Sequence, residues 1–380
     1  MLPKWFNDWN RKNPTNVFGP AIAVAAVGGA VFVAVMIIAW GQPYATESMQ
    51  TGPRGTGMHV AEFAADLDSG DPTILDYYQD EPFIPEDGEP LAGDVYENVQ
   101  VLGNLTEANF TRLMNAITLW VAPDQGCTYC HAGANDGNYA DDDLYTKVVA
   151  RSMIQMTQNI NQNWAAHVQA NAEVGVTCYT CHRGQNVPNN IWFQVGPVNA
   201  ATNGWPAIQN RATMVSNFTS LPSDYLEHYL LQAEDGTYPQ IAVHDLASRV
   251  QQNPGDPLIQ QAERTYAFMN YIANSLGVNC VFCHNSRAFY DAAQVTPQWA
   301  TASLGIVMVQ EIIADYLLPL QNVYPPERLG PIHGDAPLAA CRTCHQGYQR
   351  PMQGLNVIRN YPELAVVDGA PDYSVFETAE

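Results

Sequence analysis

The chain has 380 residues, with 38 acidic residues against 16 basic ones and a formal net charge of −22. Nucleic acid is excluded as a partner, because binding it requires a basic surface. After Trp40 the imbalance grows to 37 acidic against 13 basic residues, a net charge of −24. Such acidity either attracts a basic partner through its long-range field or serves solubility alone.

The first predicted element is an apolar segment, residues 17–40, without a charged side chain. As a helix it is about 36 Å long, enough to cross a bilayer core of about 30 Å. A cleaved signal peptide is the alternative, but its apolar core is shorter, about 7–15 residues. We therefore expect a retained transmembrane anchor. No Cys lies near its end, which excludes a lipid anchor. Lys4, Arg11 and Lys12 place residues 1–16 in the cytoplasm and the rest in the periplasm.

The remaining chain predicts a mainly α fold with much irregular structure. Residues 41–108 are rich in Gly, Pro and Asp, and we expect them to be irregular periplasmic chain. Each of four short cysteine motifs follows a predicted helix, and these helices cover residues 109–121, 144–172, 262–276 and 302–320. Residues 358–380 form an acidic tail, which we expect to be extended from Asn360 on.

The four motifs follow the pattern Cys-x-x-Cys-His and use all eight cysteines. They are Cys127-Thr-Tyr-Cys130-His131, Cys178-Tyr-Thr-Cys181-His182, Cys280-Val-Phe-Cys283-His284 and Cys341-Arg-Thr-Cys344-His345. This is the attachment pattern of c-type haem, in which both thiols bond to the haem and the His ligates its iron. A disulfide framework or a zinc site would not place His after every second Cys. The sequence therefore predicts four covalent haems.

The motif spacing predicts an internal duplication. The motif histidines are 51 residues apart in the first pair and 61 in the second, with 102 residues between the pairs. We therefore expect a haem 1/haem 2 half in residues 109–230 and a haem 3/haem 4 half in residues 231–357.

Methionines recur upstream of the first three motifs. Met114, Met153 and Met269 lie 13, 25 and 11 residues before the first Cys of their motif. Each is on a predicted helix that can present a thioether to iron opposite the motif His. We predict these three as axial ligands, although a Met at such a position is otherwise simply core. Met156 lies nearly on the same helix face as Met153 and competes with it; Met153 is preferred because it aligns with the other two.

The fourth motif departs from this pattern, because Met308 is 33 residues before Cys341. The candidate second ligands are His167, Met308 and His333, and an open iron site is a further alternative. His167 follows Met153 by 14 residues, about four turns of one predicted helix. One helix can thus serve two haems.

Residues 95–357 resemble the tetrahaem cytochrome subunit of purple bacterial photosynthetic reaction centres. The resemblance rests on Trp120-Val-Ala-Pro-Asp-Gln-Gly before Cys127, on Met156-Thr-Gln-Asn-Ile-Asn-Gln-Asn-Trp164-Ala-Ala-His167, on Gly175-Val-Thr before Cys178, and on Gly277-Val-Asn-Cys280-Val-Phe-Cys283-His284-Asn-Ser-Arg287. In that family three haems have Met and His ligands. The fourth has two His, and the resemblance implies that His167 is the second.

The resemblance implies an electron carrier rather than an enzyme. Such a subunit sits on the periplasmic side of the L and M subunits, in a complex with the H subunit and light-harvesting antenna. It re-reduces the photo-oxidised bacteriochlorophyll special pair with electrons from a soluble cytochrome c or a high-potential iron–sulfur protein. The alternative is a membrane-anchored multihaem quinol dehydrogenase feeding a periplasmic reductase. That function favours extra distal histidines where this chain has methionines.

One further loop has a candidate site. Asp141, Asp142 and Asp143 cluster oxygen donors, which calcium prefers. The loop lacks the spacing of an EF-hand, and a solvated acidic loop is the alternative.

Overall fold

Helices make up most of the regular structure in the computed structural model, which describes residues 3–13, 19–40, 46–50, 59–63, 72–78, 80–170, 174–196, 221–241, 259–289, 291–367 and 369–377. The α-helices are α1 (Lys4–Lys12), α2 (Gly19–Trp40), α3 (Ala92–Val95), α4 (Glu107–Val121), α5 (Tyr145–Asn163), α6 (Ala165–Val168), α7 (Cys178–His182), α8 (Tyr225–Leu230), α9 (Ile259–Leu276), α10 (Pro297–Ile312), α11 (Cys341–His345) and α12 (Ser374–Glu377). Two short strands, β1 (Thr46–Gln50) and β2 (His59–Phe63), pair with each other.

Shorter helical turns complete the structure. The 3₁₀ turns are Pro72–Tyr77, Gly126–Tyr129, Ala134–Asp136, Cys280–Phe282, Ala292–Gln294, Leu318–Asn322, Pro326–Arg328, Pro351–Gly354 and Pro362–Leu364. A π-helical segment, Ile313–Leu317, continues α10.

The contacts divide the chain into two units, Met1–Ser48 with Ala61–Asp68, and Met49–Val60 with Ser69–Glu380. The first unit contains α1 and α2. Helix α2 is apolar along its described length, and most of its described side chains are exposed, for example Val24 (66%) and Phe32 (64%). Residues 17 and 18 of the predicted anchor lie outside the described residues.

In the second unit, α4 begins two residues before its predicted start. Thr106 caps it, because the Thr106 hydroxyl accepts a hydrogen bond from the Asn109 backbone amide. Leu113 and Trp120 on this helix are fully buried. They pack with Ile74, Tyr78, Leu102 and Leu105 in one apolar cluster. Part of residues 41–108, predicted to be irregular surface, therefore supplies core of the first half.

The prediction of an extended tail from Asn360 is wrong for its first residues. Tyr361 and Leu364 are buried in the same cluster as Trp120. Glu363 is also buried, and its Oε1 lies 2.6 Å from Nη2 of Arg112. The ion pair and a hydrogen bond from the Tyr373 hydroxyl, both made by Oε1, stabilise this buried charge.

The predicted helix 144–172 is divided at Trp164, where α5 ends and α6 begins. The indole Nε1 of Trp164 donates to the Glu311 carboxylate (3.1 Å), which also accepts from Asn159 (2.7 Å). This side-chain anchor to the α10 segment holds the break, so Met153 and His167 lie on different helices.

Helices α8, α9 and α10 supply most of a second apolar cluster, which forms around Tyr229 and Phe268. Pro297–Asn322 is also long and apolar enough, by length and composition, to cross a membrane. Nearly half of its most apolar part is buried against the rest of this unit, as in the core helix of a globular domain. Ala21–Ile37 in α2 is a shorter apolar stretch.

Candidate haem sites

Each Cys-x-x-Cys-His motif forms a single helical turn. Motifs 2 and 4 are the α-helices α7 and α11. In motifs 1 and 3 the first Cys lies in a 3₁₀ turn, Gly126–Tyr129 or Cys280–Phe282, and the second Cys directly follows that turn. In such a turn, residues three and four apart share a face. Both cysteines and the adjacent His of a motif can therefore reach one planar ligand.

All four motif histidines are oriented in the same way. Nδ1 of the ring lies 3.0 Å from Tyr139 O for His131, 2.8 Å from Gln185 O for His182, 3.2 Å from Phe289 O for His284 and 3.0 Å from Tyr348 O for His345. Because a carbonyl only accepts, Nδ1 must carry the proton. Nε2 then has a free lone pair, the arrangement found for metal-binding histidines.

His167 has the same orientation without belonging to a motif. Its Nδ1 lies 2.8 Å from the Thr301 carbonyl on α10. Its ring centre is 6.3 Å from that of His345, with an angle of 68° between the rings. Two imidazoles on opposite sides of one metal, each at about 2 Å, have ring centres roughly 6 Å apart. The separation therefore matches a shared iron between them.

Gly305 of α10 makes room for this histidine. A Cβ atom at position 305 would lie 2.5 Å from Cε1 of His167. Only glycine lets the helix backbone approach the ring this closely. The sequence contained no recognisable signal for this contact, because it joins residues 138 apart.

Met308 is buried in an apolar cluster against which Cys341 of motif 4 also packs, so it stays a candidate for the fourth haem. The other histidines outside the motifs lie at different points of the chain. His333 lies beside Gly196, and His228 packs edge-on against Tyr229. His244 and the side chain of His59 lie outside the described residues.

A cavity of about 970 Å³ lies between the first two motifs. It is lined by motif residues including Cys127, Cys130, His131, Cys178 and His182, and by Met114, Met153 and Met156. Its volume is at the upper end for cofactor pockets. Both Met153 and Met156 border it, so the choice between them stays open. Met269 lies on α9, partly buried against the second core.

Burial keeps the candidate ligands neutral. It lowers the pKa of His345 to about 4, and it lowers the pKa values of His131, His167, His182 and His284 as well. A histidine with a lowered pKa is unprotonated at pH 7, which is the form that binds a metal.

Motifs 2 and 4 contact each other directly. Sγ of Cys181 lies 2.8 Å from Sγ of Cys344. Matching hydrogen bonds flank them: Gly184 N donates to Trp120 O at the end of α4 (2.9 Å), and Gly347 N donates to Ser275 O at the end of α9 (2.8 Å). The residue before each glycine, Arg183 or Gln346, has a φ of 51°.

The candidate calcium loop already contains a cation. The Lys147 ammonium donates to the carbonyls of Tyr139, Ala140 and Asp141, and it lies 3.2 Å from the Asp142 carboxylate. Among the described residues, no group of three or more His, Cys, Asp or Glu side chains is arranged to hold a metal ion by itself. Sequence reasoning missed this lysine, since its partners are backbone atoms.

Known proteins match most of the length of this chain. The family described as photosynthetic reaction centre cytochrome C subunit matches residues 41–365. The photosynthetic reaction center cytochrome c subunit of Roseobacter denitrificans is 61% identical over 376 residues, covering 98% of this chain and 100% of the relative. The subunit of Rubrivivax gelatinosus is 38% identical over 363 residues (94% and 93%). That of Thermochromatium tepidum is 39% identical over 350 residues (91% and 80%).

Proposed function

Because this chain belongs to the family of photosynthetic reaction centre cytochrome c subunits, it is an electron carrier of a reaction centre and not an enzyme, and we propose that it carries electrons through four covalent haems. The shared orientation of the four motif histidines is the observation that supports four haems. Each of the four has Nδ1 on a backbone carbonyl and Nε2 free. Each haem, when bound, supplies an iron that takes up and releases one electron.

We propose that the haem irons would be held by the following pairs of residues: Met114 with His131, Met153 with His182, Met269 with His284, and His167 with His345. The 6.3 Å separation of the two imidazole rings supports the last pair. Met114 and Met153 share a further feature, since the hydroxyl of the Thr four residues later donates to the Met carbonyl, at 2.8 Å in both cases. This likeness favours Met153 over Met156.

The protein sets the reduction potentials through these ligands. A Met ligand raises a haem potential relative to a second His. We therefore expect the haem held by His167 and His345 to be the one of lowest potential, all else being equal. Carbonyl acceptors on every Nδ1 fix the rings and raise their basicity, and the apolar walls exclude water.

We propose that the two halves are an internal duplication in which haem 2 is the neighbour of haem 4. The paired Cys181 and Cys344 sulfurs support contact between haems 2 and 4. The matching hydrogen bonds of Gly184 and Gly347 support equivalent roles for α4 with motif 2 and for α9 with motif 4.

We propose that residues 17–40 anchor the subunit in the photosynthetic membrane. The apolar side chains of α2 are exposed, among them Val27 (65%) and Ile37 (63%). A helix that is hydrophobic all round is stable only inside lipid or a larger core. The basic residues before it favour a cytoplasmic N-terminus and a periplasmic haem unit.

In this arrangement the haem unit lies on the L and M subunits, in one complex with H and the antenna. It re-reduces the bacteriochlorophyll special pair and receives electrons from a soluble periplasmic cytochrome c or high-potential iron–sulfur protein. The quinol dehydrogenase alternative has no support in the described histidines. Of those outside the motifs whose side chains are described, only His167 faces a motif histidine.

The test is made on the purified native complex. Mass spectrometry of the chain should give a mass increase of four haems, and a flash should oxidise haem as the special pair is re-reduced. A count other than four would contradict the proposed cofactor content. A His167→Met variant should raise the potential of one haem, whereas His228→Met, the control, should change none.

A further inference from the structure

Lys147 is the only lysine after Lys12, and the other 12 basic residues that follow Trp40 are arginines. It lies in the first turn of α5, and its side chain is only 9% exposed. Nζ donates to Tyr139 O at 2.8 Å, Ala140 O at 2.8 Å and Asp141 O at 2.9 Å. All three ammonium protons are therefore directed at the loop that follows motif 1.

One of these acceptors is shared with a proposed iron ligand. The Tyr139 carbonyl also accepts from Nδ1 of His131, at 3.0 Å. The corresponding carbonyls of Gln185, Phe289 and Tyr348 accept no hydrogen bond from a Lys or Arg side chain in the described part of the chain. The cationic contact thus distinguishes motif 1 from the others.

We propose that Lys147 is a positioning residue for His131 that raises the reduction potential of the haem at motif 1. This inference rests on the proposed ligation of that haem by Met114 and His131. Lys147 holds the loop that presents the Tyr139 carbonyl, so it fixes the plane of the His131 ring. It also withdraws electron density from the oxygen that Nδ1–H uses.

Lys147 acts on the haem in two ways, through the His131 hydrogen bond and through its own charge, and both raise the reduction potential. A weaker Nδ1–H···O bond makes the imidazole a poorer electron donor, which disfavours the more positive, oxidised iron. A buried positive charge beside the cavity, which Lys147 and Tyr139 both line, disfavours it further. Each effect stabilises the reduced state.

The residue type follows from the geometry. A lysine ammonium is a compact charge with three donors, and here they converge on three successive carbonyls. The planar guanidinium group of an arginine cannot direct its donors at three such converging carbonyls. Arg151, one turn along α5, instead makes a bidentate pair with the Asp142 carboxylate (2.7 and 3.0 Å).

The experiment uses the full-length subunit in its native complex and measures the midpoint potential of every haem by redox titration. Lys147→Met removes the charge but keeps an unbranched stem, and it should lower the potential of the haem at motif 1 more than that of any other haem. Lys147→Arg should not restore it. Arg151→Met is the matched control, since it removes a neighbouring cation that does not touch Tyr139, and it should cause a smaller shift.

Met114→Leu identifies which potential belongs to the haem at motif 1. A failure of the proposed ligation can then be told apart from a failure of the role of Lys147. If Met114→Leu moves no potential or spectrum, the proposed ligation fails. If it moves one haem and Lys147→Met leaves that same haem unchanged, or shifts it no more than Arg151→Met does, the role of Lys147 is refuted. The electron paramagnetic resonance signal of the oxidised haem should also change in Lys147→Met, because the His131 ring is released.

A second variant covers the case in which Lys147→Met does not assemble. The Asp142 side chain is 38% exposed, so Asp142→Asn should fold. It removes the nearest negative charge and keeps the three carbonyl bonds of Lys147. The potential of the same haem should rise, and an unchanged or lowered potential would overturn the inference.

Discussion

Replacing Gly305 by alanine tests the contact that positions His167. In an ordinary helix this substitution stabilises, by about 0.8–1.0 kcal/mol, because alanine is the better helix former. Here the new Cβ would lie 2.5 Å from Cε1 of the His167 ring, whereas ordinary contacts begin at 3.4 Å. The ring has to move by about 1 Å, and overpacking of this kind costs about 1–3 kcal/mol.

A ring displacement of that size also breaks the hydrogen bond from Nδ1 to the Thr301 carbonyl, now 2.8 Å long. A bond stretched beyond about 3.5 Å is lost, at a cost of about 1 kcal/mol. Together these terms exceed the gain in helix propensity. We therefore expect Gly305→Ala to destabilise the protein by about 1–3 kcal/mol and to disturb one haem only.

The assay compares denaturation midpoints and the electron paramagnetic resonance signal of the haem for which we propose His167 and His345 as ligands. Val307→Ala is the control, because Val307 is on the same helix and 50% exposed, and alanine there also improves helix propensity. It should leave the signal unchanged. If Gly305→Ala raises the denaturation midpoint and preserves the signal, the close approach of α10 to His167 does not exist in solution.

Three further predictions address the ligands, the anchor and the donor. Met153→Leu should change the potential and spectrum of one haem and Met156→Leu should not; the reverse result in redox titrations would assign Met156. Deleting residues 1–40 and supplying a cleavable signal should give a soluble haem protein, and a product that still requires detergent without its partners would reveal a second membrane contact. The second-order rate of haem re-reduction by a basic donor should fall between about 10 mM and 1 M salt, as the Debye length shrinks from about 30 to 3 Å, and a flat stopped-flow rate would exclude steering by the acidic surface.

The sequence predicts those features that depend on neighbouring residues. A Cys-x-x-Cys-His motif is one helical turn, so its five residues lie together whatever the rest of the chain does. The start of α4 was nearly right because Thr106 caps it locally. The apolar pattern of residues 17–40 likewise requires only a helix, and α2 covers 19–40.

The rest depends on contacts between distant residues. The break at Trp164 coincides with a hydrogen bond from its indole to Glu311, 147 residues away, and the helix periodicity of the sequence does not reveal that contact. Gly305 and the Thr301 carbonyl position the His167 ring only because α10 packs against it. Lys147 was overlooked since carbonyl oxygens are present at every residue, and only the folded loop makes three of them converge.

The buried position of Glu363 has a consequence for how the protein matures. Its partner Arg112 precedes it by 251 residues, and Leu364 accepts a bond from Asn161, 203 residues earlier. The part of the chain that surrounds the first two motifs is therefore incomplete until residues 363 and 364 have been synthesised. Long-range closure of this kind is slow. During that interval the thiol of Cys178, which is buried in the folded chain, remains reachable, so late closure gives the attachment of haem time to precede its burial.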